Sequence, residues 1–314
     1  MREQGIEVIG EFMEIKNATT YLKEKYPNDS VRLIGSGWTS YAFEVGNKII
    51  RIPKTNIKPY EKEAAILKFL QNKLPVEIPN PSIIKGTYPY AEHEKITGFS
   101  WNMQTYNNLP DDKKDLFAKD IAHFFAMLHS IPTSEIYKSI PKKLITIYKL
   151  DSLNNFYQYL KSYFSDYDIK RVYTWAKKIE QISDNPVLIH NDFWEANVLV
   201  DENHRLKGVF DWANSCLSNP EWDFKSLYHP NCFPLLDNIL KFYHQETGRH
   251  INKDKIRKEK IADCMFNVQY FGKNPHLKIM MPNQWEETLN SVKKALNEIQ
   301  FEENLILHKT TYIK

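Results

Sequence analysis

The chain has 314 residues, enough for one large domain or two lobes with a full core. Its 42% apolar and 26% charged residues are ordinary for a globular protein, and a net charge of +3 implies neither a nucleic-acid face nor a polybasic membrane anchor. Three widely spaced cysteines exclude a disulfide framework and a zinc knuckle. The N-terminus has no apolar leader segment, and no apolar run reaches the roughly 18 residues of a membrane span. The expectation is a cytoplasmic monomer.

Residues 14–26 have helical spacing and stop at Pro27-Asn28-Asp29. Strands are expected at 31–34, 41–45 and 48–52, joined by a tight turn at Gly35-Ser36-Gly37 and a hairpin at Gly46-Asn47. A helix over 60–72 offers Ala64, Ala65, Leu67 and Leu70 for burial, the Pro-rich 75–81 is not helical, and 87–90 and 98–103 are further strand candidates. After Met103 the pattern turns helical: 111–130, 153–164, 169–183, 235–247, 255–270 and 285–301. This is an α+β chain, with a small β-rich lobe at 1–103 and a larger helical lobe at 104–314.

Residues 187–224 interrupt the helices and concentrate the chemistry. Apolar 187–189 leads into His190-Asn191-Asp192, and Asn197 follows. Apolar runs 198–200 and 206–210, split by Asp201-Glu202-Asn203, read as a hairpin that brings Asn197 close to Asp211. An amide oxygen and a carboxylate together suit Mg²⁺, and Asp192 ahead of them can orient a hydroxyl and accept its proton. In the first lobe the glycines of Gly35-Ser36-Gly37-Trp38 let backbone N–H groups approach phosphate oxygens. Arg51 on the following strand, with Glu63 on the next helix as its partner, can bridge phosphates. A surface Arg on an edge strand is the plainer reading of that pair. His190 reads as a structural hydrogen-bonder. Asp223 either caps a helix or accepts the backbone N–H groups of the catalytic loop.

These residues resemble the aminoglycoside phosphotransferase family of the protein-kinase-like fold, with the look of its 2″-phosphotransferase branch. The matching text is Gly35-Ser36-Gly37-Trp38-Thr39-Ser40-Tyr41-Ala42-Phe43, Ile50-Arg51-Ile52-Pro53-Lys54, Glu63 and Met127-Leu128-His129-Ser130-Ile131. It continues through Leu188-Ile189-His190-Asn191-Asp192-Phe193, Asn197, Gly208-Val209-Phe210-Asp211 and Asn219-Pro220-Glu221-Trp222-Asp223-Phe224. The resemblance covers residues 30–228, with a weaker echo at 285–287. It implies a two-lobed kinase that moves the γ-phosphate of ATP or GTP to a small-molecule hydroxyl with Mg²⁺. By position, Asp192 would be the catalytic carboxylate, and Asn197 and Asp211 the metal ligands. Gly35, Ser36, Gly37, Ser40, Arg51, Glu63 and Met103 would serve the nucleotide. Trp194, Glu195, Tyr228, Glu286 and Glu287 are the substrate-side candidates.

Four departures from the family pattern stand out. Arg51 replaces a lysine, Asp211-Trp212-Ala213 lacks the glycine frequent after the metal carboxylate, and residues 102–106 lack the usual linker text. Beyond Phe224, where antibiotic-modifying members tend to carry acids for a polycationic sugar, the chain reads Lys225-Ser226-Leu227-Tyr228-His229. Aminoglycosides are therefore the family candidate, beside other hydroxylated antibiotics or metabolites. A pseudokinase is the alternative of another class, disfavoured by the complete Asp192, Asn197 and Asp211 set. A protein kinase ranks last, because only a short segment separates Asp211 from Asp223.

Overall fold

The structure, a computed structural model, describes residues 14–311 except 38, 55–56, 87, 146–148 and 181–184, with the side chains of the last helix described as far as residue 303. Trp38 of the glycine turn, Thr87 of an expected strand and 181–183 of an expected helix lie outside the described residues. Two compact units contain, first, Met1–Met127, Ser134–Ile145 and Glu195–Ser215 and, second, Leu128–Thr133, Thr146–Trp194 and Cys216–Lys314. The hairpin carrying Asn197 and Asp211 thus counts with the first unit, and Asp192 with the second.

The first unit starts with α1 (Ile15–Lys25), β1 (Val31–Ser36), β2 (Ser40–Val45), β3 (Lys48–Pro53), α2 (Lys58–Leu70), β4 (Ser82–Ile84) and β5 (Tyr90–Glu94). Its antiparallel sheet runs β1-β2-β3-β5-β4. Gly46, at φ 57°, makes the β2–β3 turn, a conformation that costs a Cβ-bearing residue more. Phe43, Val45, Ile50, Ile52 and Tyr90 are buried against Ala18 and Leu22 of α1. Arg51 pairs with Ala42 on one side and Ala91 on the other, so it lies on a central strand and not at an edge.

Three local expectations shift. β1 continues through Gly35 and Ser36, which pair with Ala42 and Tyr41, so the strand does not end ahead of the glycines. The strand expected at 87–90 lies at β5, and β4 had no periodic signal in its three residues. Of the strand expected at 98–103 only β6 (Phe99–Ser100) forms, because the Asn102 side chain accepts the Thr105 N–H at 2.8 Å and starts α3 (Met103–Asn107). α4 (Asp111–Ser130) has the expected bounds, and α5 (Thr133–Ser139) and a 3₁₀ turn at Lys142–Leu144 follow. A 3₁₀ turn at Glu195–Asn197 leads into β8 (Val198–Val200) and β9 (Leu206–Val209), which form a small sheet in the order β6-β8-β9. Asp201 Oδ1 accepts the N–H groups of Asn203 and Arg205, closing the hairpin turn.

In the second unit β7 (Val187–Ile189) pairs antiparallel with β10 (Cys216–Ser218). The helices are α6 (Leu153–Leu160), α7 (Asp166–Ile179), α8 (Phe233–Thr247), α9 (Lys253–Lys273), α10 (His276–Met280) and α11 (Pro282–Thr311). Ser165 caps α7 and Asn252 caps α9 through side-chain oxygens. α9 packs against α6, α7 and α11 and against the 3₁₀ stretch Pro220–Leu227, burying Met265, Val268 and Phe271. Among the described residues no helix is long and apolar enough to cross a membrane.

Gly272 of α9 faces the Tyr159 ring so closely that an added Cβ would lie 2.5 Å from ring carbons. Gly272→Ala is expected to lower stability by about 1–3 kcal/mol despite the better helix propensity of alanine. Urea unfolding measures it, and an unchanged or raised midpoint would contradict the packing described.

Candidate active site

In the first unit two charged side chains converge on Arg51. Its Nη1 donates to both Glu63 oxygens, at 2.8 and 2.9 Å, and its Nη2 to Asp211 Oδ1 at 3.1 Å. The Tyr60 ring lies 5.0 Å from the guanidinium carbon. The sequence pairing of Arg51 with Glu63 is present, and Asp211, 160 positions away, joins it. Burial works to lower the Arg51 pKa, but the Glu63 and Asp211 carboxylates outweigh it and hold the guanidinium charged. Burial pushes Glu63 up, against the pull of Arg51 and of the Trp212 N–H, which donates to Glu63 Oε1 at 3.0 Å.

Asp211 sits at φ 64°, a left-handed position that Asp tolerates better than most residues. Trp212 holds it there: its indole N–H donates to Val209 O at 3.1 Å, and its buried ring packs edge-on against Phe124 at 6.1 Å. At the same open end of the hairpin the Phe210 N–H donates to Asn197 O at 3.1 Å, so the pairing brings the backbone at positions 197 and 210 together. Among the described residues Asp211 Oδ2 accepts no hydrogen bond, and Asp211 is 36% exposed. A carboxylate oxygen without a donor among the described residues, next in the chain to a residue bonded to the Asn197 backbone, suits Mg²⁺, a cation of hard oxygen ligands. The described residues contain no cluster of three or more His, Cys, Asp or Glu for a softer or fully protein-bound metal.

The β1–β2 turn is closed by Gly37 N–H to Ser40 O at 2.9 Å. Among the described residues other than its chain neighbours, a Cβ at Gly35 or Gly37 would meet no atom nearer than 3.8 Å. Missing side chains that the protein does not fill leave room for a ligand. Ser40 is buried at the start of β2. Met103 begins α3, and its N–H donates to Glu195 Oε2 at 3.2 Å. Glu195 thereby joins residues 102–106 to the hairpin, a contact that no local signal announces across 92 positions.

The second unit carries Asp192 on a loop held from beneath. Asp223, 1% exposed, accepts the Asn191 N–H at 2.6 Å and the His190 N–H at 3.0 Å. The same carboxylate meets His129 Nε2 at 2.9 Å, and His129 Nδ1 reaches the Tyr243 hydroxyl at 3.0 Å. Of the two readings of Asp223, acceptance of the loop's N–H groups is the one that the structure has. His190 is fully buried, and its Nδ1 accepts the Asp192 N–H at 3.2 Å, the structural role expected of it. Lys225 donates to Asn191 Oδ1 and Asp263 Oδ1, both at 2.8 Å, and so ties the loop to α9. Sequence reasoning noted Lys225 only as a cation where acids were looked for. Its partner Asp263 is 38 positions on.

A family model described as the phosphotransferase enzyme family, APH, matches residues 30–257. The chain belongs to that family. Solved structures of the same fold include a GDP complex of aminoglycoside 2′-phosphotransferase-IIIa (20% identity, 91% of this chain and 99% of that one, TM-score 0.67). A gentamicin complex of APH(2″)-IIa matches at 19% identity over 89% and 96% of the two chains, TM-score 0.67. A macrolide 2′-phosphotransferase type I matches at 18% identity over 91% and 98%, TM-score 0.61. The expected α+β, kinase-like fold class is the fold of these phosphotransferases.

For a phosphotransferase of this family the substrate-side candidates are scattered. Trp194 is 45% exposed. Tyr228 is half-buried, packs edge-on against Phe233 at 5.1 Å and accepts Lys260 Nζ on its carbonyl at 2.6 Å. Glu286 and Glu287 are exposed near the start of α11. Glu221 pairs with Lys255 at 2.9 Å. Glu259, fully buried on α9, has no hydrogen-bond partner on either carboxylate oxygen among the described residues, and burial, helped by Glu221, pushes its pKa up to about 9.

Asp223→Asn puts an amide donor against the N–H groups of the loop. It is expected to cost on the order of 2–4 kcal/mol in urea unfolding, and retention of full stability would refute the acceptor role. Glu259 predicts a pH effect of defined sign. Its folded pKa lies above the unfolded one, so between about pH 4.5 and 9 the unfolded chain loses a proton that the folded chain keeps, and stability falls as pH rises. Glu259→Gln is expected to flatten that slope and to stabilise the protein at pH 8 by a few kcal/mol on the order given by linkage. Parallel pH–stability curves of the two proteins would rule it out.

Proposed function

We propose that this phosphotransferase moves the γ-phosphate of ATP or GTP to a hydroxyl of a small molecule, with Mg²⁺. The observation that carries the reading is Arg51 bridging Glu63 and Asp211 while Asp211 Oδ2 stays open to a cation. Residues 1–103 are read as the nucleotide-binding part, and 104–314 as the part with catalytic loop, metal ligands and acceptor helices. Asn197 and Asp211 would hold Mg²⁺, which when bound neutralises phosphate oxygens and steadies the leaving group. Gly35, Ser36, Gly37 and Ser40 would line the phosphates, Met103 the base, and Arg51 would act on the phosphates with Glu63 as its support. Asp192 would orient the acceptor hydroxyl and take its proton, with Asp223 and Lys225 keeping the loop in place.

Aminoglycoside-type antibiotics are the family candidate for the acceptor. A less cationic hydroxylated compound is the second reading, favoured by how the nearby acids are used. Asp263 is paired with Lys225, Glu221 with Lys255, and Glu259 is held protonated by burial. A polyamine would find little unspent negative charge on these residues and would meet Lys225 two residues after Asp223. Glu286 and Glu287, exposed near the start of α11, remain candidates to serve a cationic acceptor.

The test is nucleotide consumption by the purified protein with Mg²⁺ against aminoglycosides, macrolides, amino alcohols and sugars. Turnover is expected with at least one class, reduced about 10²–10⁴-fold in Asp192→Asn. Tight Mg–nucleotide binding without turnover on any acceptor would replace the enzyme by a nucleotide-binding pseudokinase.

A further inference from the structure

Lys54 follows β3 and is 8% exposed. Its Nζ donates to Gly37 O at 2.6 Å and lies 4.8 Å over the Tyr41 ring, and its N–H donates to Thr39 O at 2.8 Å. The side chain therefore reaches the β1–β2 turn, where Gly37 N–H meets Ser40 O. Among the described residues no carboxylate lies within ion-pair distance of this ammonium group. An ammonium has three donors, and Gly37 O takes one of them. Burying a cation without a counter-charge is costly, and burial does lower the Lys54 pKa.

Arg51 is in the opposite condition. Its single positive charge faces two carboxylates, Glu63 and Asp211, so that cluster is negative by one charge in sum. A polyphosphate carrying several negative charges therefore has use for a further cation beside this partly compensated guanidinium. Among the described residues, Lys54 is a cation at the turn with no ion-pair partner.

We propose that Lys54 is a phosphate-binding residue, giving its remaining N–H donors to the terminal phosphates of the nucleoside triphosphate beneath the β1–β2 turn. This rests on the nucleotide reading above. Its bond to Gly37 O links phosphate binding to the shape of the turn. The aromatic face of Tyr41 supports the charge from the other side without competing for its donors.

The experiment titrates the full chain, Lys54→Met and Lys54→Arg with Mg²⁺ and ATP, GTP, ADP, GDP, AMP and GMP, and records thermal unfolding alongside. Lys54→Met is expected to weaken the triphosphates about tenfold or more, to leave the monophosphates within about twofold, and to regain most affinity as Lys54→Arg. Equal loss for mono- and triphosphates would make Lys54 a structural clamp of the turn and overturn the proposal, as would unchanged triphosphate affinity in Lys54→Met. If the apolar variant does not fold, Lys54→Gln, neutral but still able to donate to Gly37 O, takes its place with the same criteria. Failure of the unaltered protein to bind any nucleotide would instead refute the nucleotide reading and take this proposal with it.

Discussion

The ion cluster of Arg51 with Glu63 and Asp211 is the constraint on which the first unit depends. Three charges are buried or half-buried together, and each finds its counter-charge within the cluster. Removing one member leaves an uncompensated charge, which costs about 3–5 kcal/mol in buried pairs. The cluster joins β3, α2 and the end of the β8–β9 hairpin, so one interaction fixes elements that are far apart in the chain. Glu63 extends it by accepting the Trp212 N–H, and Trp212 extends it again through Val209 O and Phe124. The left-handed backbone at Asp211 is maintained by this network, and the strain is small for an aspartate so held.

The second unit solves a similar problem with a single carboxylate. Asp223 accepts two consecutive backbone N–H groups and meets His129, all nearly excluded from water. Loops with left-handed residues such as Asn191, at φ 66°, need that kind of support, because nothing in the local sequence holds them. Lys225 adds a second tie through the Asn191 side chain. Functional loops are commonly placed in this way, mobile in principle and fixed by buried polar partners. Glu259, close to Glu221 and Lys255 yet without a hydrogen bond, stands apart as a buried acid that the loop does not use.

Much of the fold was legible in the residues because period and punctuation are local. The β2 and β3 alternation, the Gly46 turn, the uninterrupted 111–130 stripe and the 198–209 hairpin all appear where their patterns placed them. The misses are also physical. β4 and β6 have three and two residues, too short to show a period. Met103 went to a helix because the cap at Asn102 overrode a short apolar run. β1 ran on through Gly35 and Ser36 because pairing with Tyr41 and Ala42, a cross-strand matter, decides where a strand ends.

The residue types needed for phosphoryl transfer, and their spacing, were determined by the sequence alone. Asn197 and Asp211 share a hairpin, Asp192 precedes it, and glycines stand ahead of Arg51; these are short-range facts of order and spacing. Only the tertiary structure decided how the charges are spent. That Arg51 faces two acids, that Asp223 serves backbone rather than a helix cap, and that Lys225 and Lys255 neutralise Asp263 and Glu221 all depend on partners 12 to 160 positions apart. Electrostatic compensation is a property of distance in space, and the chain's order does not contain it.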